Sequence, residues 1–242
     1  MFSDAGEDIV ESVLCVVAHP DDIDFGAGGT IKRWRDAGVK ITYCLVTDGD
    51  AGGFDVNFPR ELMPGVRQEE QRAAGRVLGV EDIFFLGFKD GEVEVSLDLR
   101  KKIAAVIRKV RPQRVLTQNP ERNFGRIFSS HPDHMAAAEA ALRAVYPDAR
   151  NPFAFPELLG AGLSPHSVEE VWVMAPNRPD TFVDVSATLS AKLEALRCHV
   201  SQETDKDHKL DERIKTWLEL NRVAAGWEEG RFAEAFLRVP TA

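Results

Sequence analysis

Two short segments far apart in the chain combine histidines with carboxylates. The first is AHPDD at residues 18–22, and the second is HPDH at residues 131–134. Together they supply three imidazoles and three carboxylates. A hydrolytic metal site needs three protein ligands, an open coordination position for water, and an unligated acid and base beside the metal. These two segments contain the residue types for all of these tasks.

Both segments follow strands of a predicted sheet. The apolar run 13–18 is typical of a strand buried on both faces, and AHPDD comes directly at its end. The run 114–118 predicts a later strand, after which HPDH follows a loop and opens a helix. Ligand sites of open α/β sheets lie beyond the carboxyl ends of the strands. We therefore expect the two segments to meet there.

The spacing within each segment allows its side chains to share one centre. His19 and Asp22 are three residues apart, so a tight turn can direct both to a metal while Asp21 stays free of it. His131 and His134 have the same spacing and can lie on one helical face. Alone, AHPDD is equally well explained as a helix cap, and HPDH as a solvated histidine pair. Their joint occurrence after two strands favours a metal site.

The rest of the chain alternates strand-like and helix-like runs. Strands are predicted at 13–18, 41–47, 83–86 and 114–118, and helices at 26–37, 67–78, 97–110 and about 132–145. This order predicts a Rossmann-like three-layer α/β sandwich, with a mostly parallel sheet and helices on both faces. A small C-terminal extension is predicted to contain strands 168–175 and 181–185 and helices 186–199 and about 206–226. We expect a single domain over 1–242, with its parallel core at about 1–150 and the extension at about 151–242.

Composition narrows the range of partners and locations. The 242-residue chain has a formal net charge of −9, which argues against nucleic acid and against an anionic membrane surface as partners. Its three cysteines are odd in number and widely spaced, so they predict free thiols and not a disulfide framework. The acidic N-terminal segment 1–12 lacks the features of a signal peptide, and no apolar stretch approaches the roughly 20 residues of a membrane span. A cytoplasmic location is expected.

The two histidine segments resemble the signature of the LmbE-like or PIG-L zinc-dependent N-deacetylases. In that family AHPDDE follows the first strand and HPDH comes much later. The resemblance covers nearly the whole chain and extends to TDGDAGG (47–53), VRQEE (66–70), LGFKDGEV (86–93) and HVSQ (199–202). One departure is Ile23, which occupies the place of the family glutamate and is followed by Asp24. That glutamate is not normally a zinc ligand, so metal loss is not expected, but the packing and hydrogen bonding of the turn are left open.

The resemblance implies a role for each residue of the two segments. His19, Asp22 and His134 would hold one zinc ion, and Asp21 would be the general base that takes a proton from the attacking water. His131 would stabilise the oxyanion or protonate the leaving amine.

Four further residues have two interpretations each. The resemblance implies that Asp133 orients a histidine, but an aspartate that stabilises a helix start is an equal alternative. Arg67 would contact substrate hydroxyl or phosphate groups, or else be a surface charge at a helix start. Asp90 would bind sugar hydroxyls, or else belong to an Asp-Gly turn. His199 would approach the site, although a structural or capping role is the favoured interpretation.

The resemblance also implies the reaction, namely removal of an N-acetyl group from a small N-acetylglucosamine-type amino-sugar derivative. The loops 48–65 and 119–130 would shape specificity. An amidase that cleaves a larger amide is one alternative, and a non-catalytic zinc-binding protein with four ligands is another, although it would leave Asp21 and His131 without a task. A site with two histidines and one aspartate would also accept iron, cobalt or manganese. A homo-oligomer is expected only by analogy with the family.

Overall fold

The sheet is built around strands that are apolar on both faces. In the computed structural model, which describes residues 10–202 and 209–241, β1 (Ser12–Val17) pairs in parallel with β2 (Lys40–Thr47) and β4 (Arg114–Thr117). The parallel sheet continues through β3 (Asp82–Phe88) beside β2 and β5 (Glu170–Met174) beside β4. Successive side chains of a strand point to opposite faces, so Val13 and Cys15 enter one core while Leu14 and Val16 enter the other.

The C-terminal part of the chain completes the same sheet. Strand β7 (Ala233–Pro240) lies between β5 and β6 (Thr181–Asp184) and is antiparallel to both, so the strand order is β3-β2-β1-β4-β5-β7-β6. The sequence predicted only two strands in this region, and β7 is a third. Glu234 interrupts its apolar pattern, yet this residue is buried and pairs with the buried Lys192 at 2.7 Å. A pattern-based prediction cannot include this ion pair, because only folding brings its members together.

Helices cover both faces of the sheet, so the predicted Rossmann-like three-layer arrangement is confirmed. One apolar core contains residues of α1 (Asp22–Asp36), α2 (Met63–Leu78), α6 (Leu189–Leu196) and α7 (Leu210–Ala225). The opposite core contains residues of α3 (Leu97–Val110), α4 (Pro132–Arg143), the π-type turn Ala144–Ala149 and the short α5 (Pro156–Gly160). Single 3₁₀ turns occur at Arg60–Leu62, Ile127–Ser129, Ser186–Thr188 and Val200–Gln202.

Two helices begin earlier than the sequence predicted. Helix α1 begins at Asp22 and not at residue 26, because Asp22 and Asp24 in its first turn stabilise the positive end of the helix dipole. Helix α2 begins at Met63 and not at residue 67, since a proline is well suited to the first turn. Asp22 is therefore a helical residue, and Arg67 lies one turn inside α2.

Close packing explains the glycines of α1. A Cβ atom added at Gly29 would lie 2.6 Å from Cβ of Val185, so only glycine lets the helix approach the chain after β6 so closely. Gly29 therefore serves the close packing of α1.

The described residues do not cover every predicted element. The predicted start of the last helix at 206 and residue His208 lie outside them, as do residues 1–9 of the N-terminal segment. None of the helices in the described ranges combines the length and the apolar composition that a membrane crossing requires. The single-domain assignment stays a prediction, although strands from both about 1–150 and about 151–242 share one sheet.

Candidate active site

The AHPDD segment turns sharply between β1 and α1. Asp21 has φ of 89°, in the left-handed region that residues other than glycine rarely adopt. Its backbone N–H donates to Gln71 Oε1 at 2.8 Å, and its carboxylate Oδ2 accepts from Arg67 Nη2 at 3.1 Å. Such a conformation persists only where the surroundings fix it, and it is frequent at functional sites.

The three predicted metal ligands meet at one point. His19 Nδ1 lies 3.2 Å from His134 Nε2 and 3.4 Å from Asp22 Oδ2. His134 Nε2 lies 3.0 Å from Asp22 Oδ1. Tetrahedral zinc with bonds of about 2.0–2.1 Å has ligand atoms about 3.3 Å apart. The donor types and their spacing therefore fit a zinc ion or a similar divalent metal.

Two carboxylates face the other ring nitrogen of His19. Nε2 lies 3.0 Å from Asp90 Oδ1 and 3.2 Å from Asp133 Oδ2. The Asp133 carboxylate also accepts from the N–H groups of Gly91 at 2.7 Å and Val93 at 3.4 Å, so it joins α4 to the turn after β3. Carboxylates at Nε2 hold its proton and leave Nδ1 available as a ligand. Asp133 therefore contacts His19, a predicted metal ligand, and the role of Asp133 stays a prediction.

The carboxylates around His19 favour positive charge at this point. Burial alone would lower the pKa of His19, but Asp133, Asp22 and Asp90 together raise it to about 12. Burial alone would raise the pKa of Asp22, but His134 and His19 hold it well below its usual range. This charge balance suits a bound cation.

Asp21 has the environment of a general base. Burial and the charge of Asp22 raise the pKa of Asp21 to about 6. Arg67 and His199 oppose this rise. A general base is most effective when its pKa lies near the operating pH.

His131 lies at the N-cap of α4, against His19 and His134, the two histidines predicted to bind the metal. Its ring centroid is 5.0 Å from that of His19 and 5.1 Å from that of His134. Its Nδ1 accepts from the backbone N–H of Asp133 at 3.2 Å, so the proton of a neutral ring is on Nε2. Burial and the charges of His19 and His134 lower the pKa of His131, which favours the neutral ring. Because ligating atoms of the three histidines lie within 4.8 Å of one another, proximity also permits His131 as a further ligand.

Arg67 is not the surface charge that one interpretation of the sequence allowed. Its side chain is 3% exposed and donates to the carbonyl oxygen of Pro20 as well as to Asp21. A Cβ atom added at Gly52 would collide with the Arg67 guanidinium, so the TDGDAGG loop packs directly on this arginine. The implied contact of Arg67 with substrate stays a prediction, as does that of Asp90, whose carboxylate contacts His19 in the structure.

A cavity of about 430 Å³ adjoins the predicted metal ligands Asp22 and His134. Its apolar lining includes Phe25, Phe128, Met174 and Trp217. Its polar lining includes Gln118, Asn119, Glu121, Asn123, Arg126 and Asn177. The predicted specificity loop 119–130 thus contributes several lining residues. No local pattern pointed to Met174, Asn177 or Trp217, because only the fold brings β5, the turn after it and α7 to this site.

The sequence analysis also missed Gln71, which holds the backbone of Asp21. Gln71 follows VRQEE directly, and its side chain bridges Asp21 and Asp24. His199, from the HVSQ segment, contacts Asp24 at 2.8 Å. Its approach to the site is therefore through Asp24.

Comparison with known proteins agrees with the motifs. A family model described as PIG-L, GlcNAc-PI de-N-acetylase, matches residues 14–145, which include both histidine segments. This chain belongs to the PIG-L family. The resemblance inferred from the sequence is confirmed.

Individual PIG-L relatives are similar over most of their length. Diacetylchitobiose deacetylase from Thermococcus kodakarensis is 38% identical over 193 residues, which cover 80% of this chain and 70% of the relative. A probable N-acetyl-alpha-D-glucosaminyl L-malate deacetylase 2 from Bacillus cereus is 34% identical over 222 residues, covering 87% and 95%. The solved structure of N,N'-diacetylchitobiose deacetylase from Pyrococcus horikoshii, in complex with its inhibitor MPG, superposes with a TM-score of 0.89 at 30% identity, covering 99% and 87%. This PIG-L chain is therefore an enzyme, a hydrolase of the deacetylase type.

Proposed function

We propose that the chain is a zinc-dependent hydrolase that removes the N-acetyl group from an N-acetylglucosamine-type amino-sugar derivative and releases acetate and the free amine. The observation that carries this proposal is the convergence of His19 Nδ1, the Asp22 carboxylate and His134 Nε2 within 3.4 Å, with Asp21 next to them in the chain. The relatives named above, two diacetylchitobiose deacetylases and a probable glucosaminyl-malate deacetylase, support an acetylated amino sugar as the substrate.

His19, Asp22 and His134 would hold one zinc ion per chain. When bound, zinc supplies Lewis acidity that polarises an amide carbonyl and lowers the pKa of a water molecule. The same ligands would accept other divalent transition metals, so zinc itself is part of the proposal.

The remaining polar side chains would move protons and stabilise charge. Asp21 takes a proton from the water that attacks the carbonyl carbon, with its carboxylate held by Arg67 and its backbone by Gln71. His131 Nε2–H donates to the oxyanion that develops on the former carbonyl oxygen, or a protonated His131 ring gives a proton to the departing amine. In the first case Asp21 passes the proton that it took from water to the amine. The C–N bond then breaks, and the amine and acetate are released.

The cavity beside Asp22 and His134 would receive the substrate beyond the reacting amide. Its volume of about 430 Å³ lies within the range of about 300–1,000 Å³ that small-molecule sites occupy. Aromatic and amide side chains on its walls suit the apolar faces and hydroxyl groups of sugar rings. A contact of Asp90 with substrate hydroxyls remains part of this proposal, whereas for Arg67 such a contact is the alternative to holding Asp21.

A second candidate function keeps the metal and changes the acyl group. The cavity is much larger than an acetyl group requires, which would also suit an amidase that releases a larger acid.

For location we propose the cytoplasm, since Cys15 and Cys44 are buried free thiols, which are usual in a reducing compartment.

The test is acid release by metal-stripped protein with and without added zinc. The substrates are N-acetylglucosamine, diacetylchitobiose and simple glycosides of N-acetylglucosamine, each paired with the same sugar carrying a longer N-acyl chain. We expect zinc-dependent acetate release, and loss of that release in Asp21→Asn, which still binds zinc. Faster release of the longer acids would favour the amidase. Stoichiometric zinc without release from any substrate would contradict both enzyme functions.

A further inference from the structure

A chain of buried hydrogen bonds leads from the candidate base to His199. The backbone N–H of Asp21 donates to Gln71 Oε1 at 2.8 Å, and Gln71 Nε2 donates to Asp24 Oδ2 at 3.0 Å. His199 Nε2 lies 2.8 Å from the same Asp24 oxygen. Gln71 and Asp24 are fully buried, and His199 is 3% exposed.

Asp24 determines which way the Gln71 amide points. A side-chain amide has a donor end and an acceptor end that differ little in shape, so hydrogen-bond partners decide its orientation. The Asp24 carboxylate only accepts, which requires the NH₂ group of Gln71 to face it. The amide oxygen must then face the N–H of Asp21. Without a carboxylate at position 24, Gln71 could turn its NH₂ group toward that N–H, and the bond to Asp21 would be lost.

His199 in turn holds Asp24 in place. It lies on a segment that is tied to the site at two further points, since Ser201 bonds to Glu70 through both its N–H and its hydroxyl, and Gly53 N–H donates to Gln202 Oε1. The ring is therefore fixed relative to α2 and to the TDGDAGG loop.

The departure from the family signature has a physical consequence here. Ile23 is fully buried and belongs to the apolar core under α1, so it directs no polar group to the site. Asp24, one residue later, carries the buried carboxylate that faces α2 and the HVSQ segment.

We propose that Asp24 and His199 are positioning residues that fix the amide of Gln71 and thereby hold Asp21 in its left-handed conformation. This inference rests on the proposed function in that Asp21 is the general base. It adds three residues, none of which touches the substrate or the metal ligands through its side chain in the described contacts.

The first test measures the Asp21 amide itself, without any substrate. Hydrogen exchange of the Asp21 N–H is followed by NMR in the metal-free variants Asp24→Asn and Asp24→Leu. The asparagine and leucine side chains have nearly the same shape. Asparagine keeps an oxygen that can accept from Gln71 and His199, so exchange should stay slow. Leucine cannot accept, so exchange should accelerate about tenfold or more. Equal exchange rates in the two variants would overturn the proposal. This outcome is decisive even if no substrate has been found for the wild type, because the measurement uses none.

The second test uses turnover and zinc content. In Asp24→Leu we expect kcat to fall by about 10²-fold, with stoichiometric zinc and with KM within about threefold of the wild type. Asp24→Asn should keep at least about a third of the wild-type kcat. Loss of zinc from Asp24→Leu would mean that the network supports the ligands, and equal kcat in both variants would mean that the Gln71 amide needs no carboxylate. Either result would overturn the proposal.

Gln71→Leu keeps the proposal testable if Asp24→Leu does not fold. This variant retains the buried Asp24–His199 pair, and it removes both the acceptor for Asp21 and the Gln71 donor to Asp24. We expect fast exchange at Asp21 and the same loss of kcat with zinc retained. Slow exchange and wild-type kcat in this variant would refute the inference. An inactive wild type would count against the proposed function alone, because the exchange measurement does not depend on it.

Discussion

Arg67 Nη2 lies 3.1 Å from Asp21 Oδ2, and the Arg67 side chain is only 3% exposed. The same guanidinium nitrogen donates to the carbonyl oxygen of Pro20, so one buried cation holds both the backbone and the carboxylate of the turn before α1. The TDGDAGG loop covers Arg67, and the carboxylate that the guanidinium contacts is that of Asp21, the candidate base.

The variants Arg67→Lys and Arg67→Met test whether Arg67 holds Asp21 or binds the substrate. A lysine ammonium is a compact point charge on a flexible stem and cannot reproduce the planar fork of donors. We expect kcat to fall by about tenfold in Arg67→Lys and about 10²-fold in Arg67→Met, with little change in KM and full zinc content. A large rise in KM with unchanged kcat would instead show that Arg67 binds substrate, as the family resemblance implied.

The variant His131→Asn removes the imidazole of His131 but keeps a side chain that can make the same capping hydrogen bond. Asparagine is a favourable N-cap residue and can accept from the N–H of Asp133, so the start of α4 should be preserved. We expect zinc to remain bound and kcat to fall by about 10²–10³-fold, as on removal of one oxyanion donor. Zinc content is measured by atomic absorption beside steady-state kinetics. Loss of zinc from this variant would place His131 among the metal ligands.

Asp133→Ala distinguishes the two interpretations of Asp133. If its carboxylate orients His19 through Nε2, the variant should bind zinc about 10–100-fold more weakly, as measured by competition with a chelator. Asp133→Asn is the matched control, because it retains one acceptor for Nε2 or for the N–H of Gly91, and it should lose less affinity. An unchanged zinc Kd together with a lower Tm would support a helix-start role alone.

The stability contribution of Asp184 should depend on pH. Burial alone would raise the pKa of Asp184, but bonds from the hydroxyl and N–H of Ser186 and from Arg231 lower it in the folded protein. The pKa of Asp184 is lower in the folded protein than in the unfolded chain, where it is about 3.9. The ionised carboxylate therefore stabilises the fold fully at pH values above this unfolded-state pKa. This contribution is lost as the pH falls through the folded pKa. The Tm difference between metal-free wild type and Asp184→Asn should therefore be largest at pH 6–7 and shrink below about pH 4. A difference that is constant with pH would contradict this assignment.

Local patterns were sufficient to predict the parallel half of the fold. Buried strands such as β1 are continuous apolar runs, and α3 was predicted with the boundaries that the structure has, because Ser96 caps its start and Pro112 follows its end. Strand β7 was missed because Glu234 is charged and the Lys192 that neutralises it is distant in sequence. The start of α1 was missed because the loop after β1 was expected to extend to residue 25, whereas it spans only residues 18–21 and Asp22 is already helical.

The candidate site shows the same division between local and long-range information. Motif spacing was enough to bring together His19, Asp22 and His134, because parallel strands end at one edge of the sheet. It was not enough to predict that Arg67 is buried against Asp21, or that Gln71 bonds to the backbone of the candidate base. Both contacts depend on the orientation of α2 against the turn before α1, which no local pattern specifies.

The proposed zinc-dependent deacetylation is tested most sharply by titrating metal-stripped protein with zinc, with acetate release from diacetylchitobiose as the signal. Three ligating side chains at one point predict that activity rises in proportion to added zinc and reaches its maximum at one equivalent per chain. His19→Ala should show no such rise. Full acetate release by the metal-free protein, or zinc bound at one equivalent with no acetate released, would refute a zinc-dependent deacetylase.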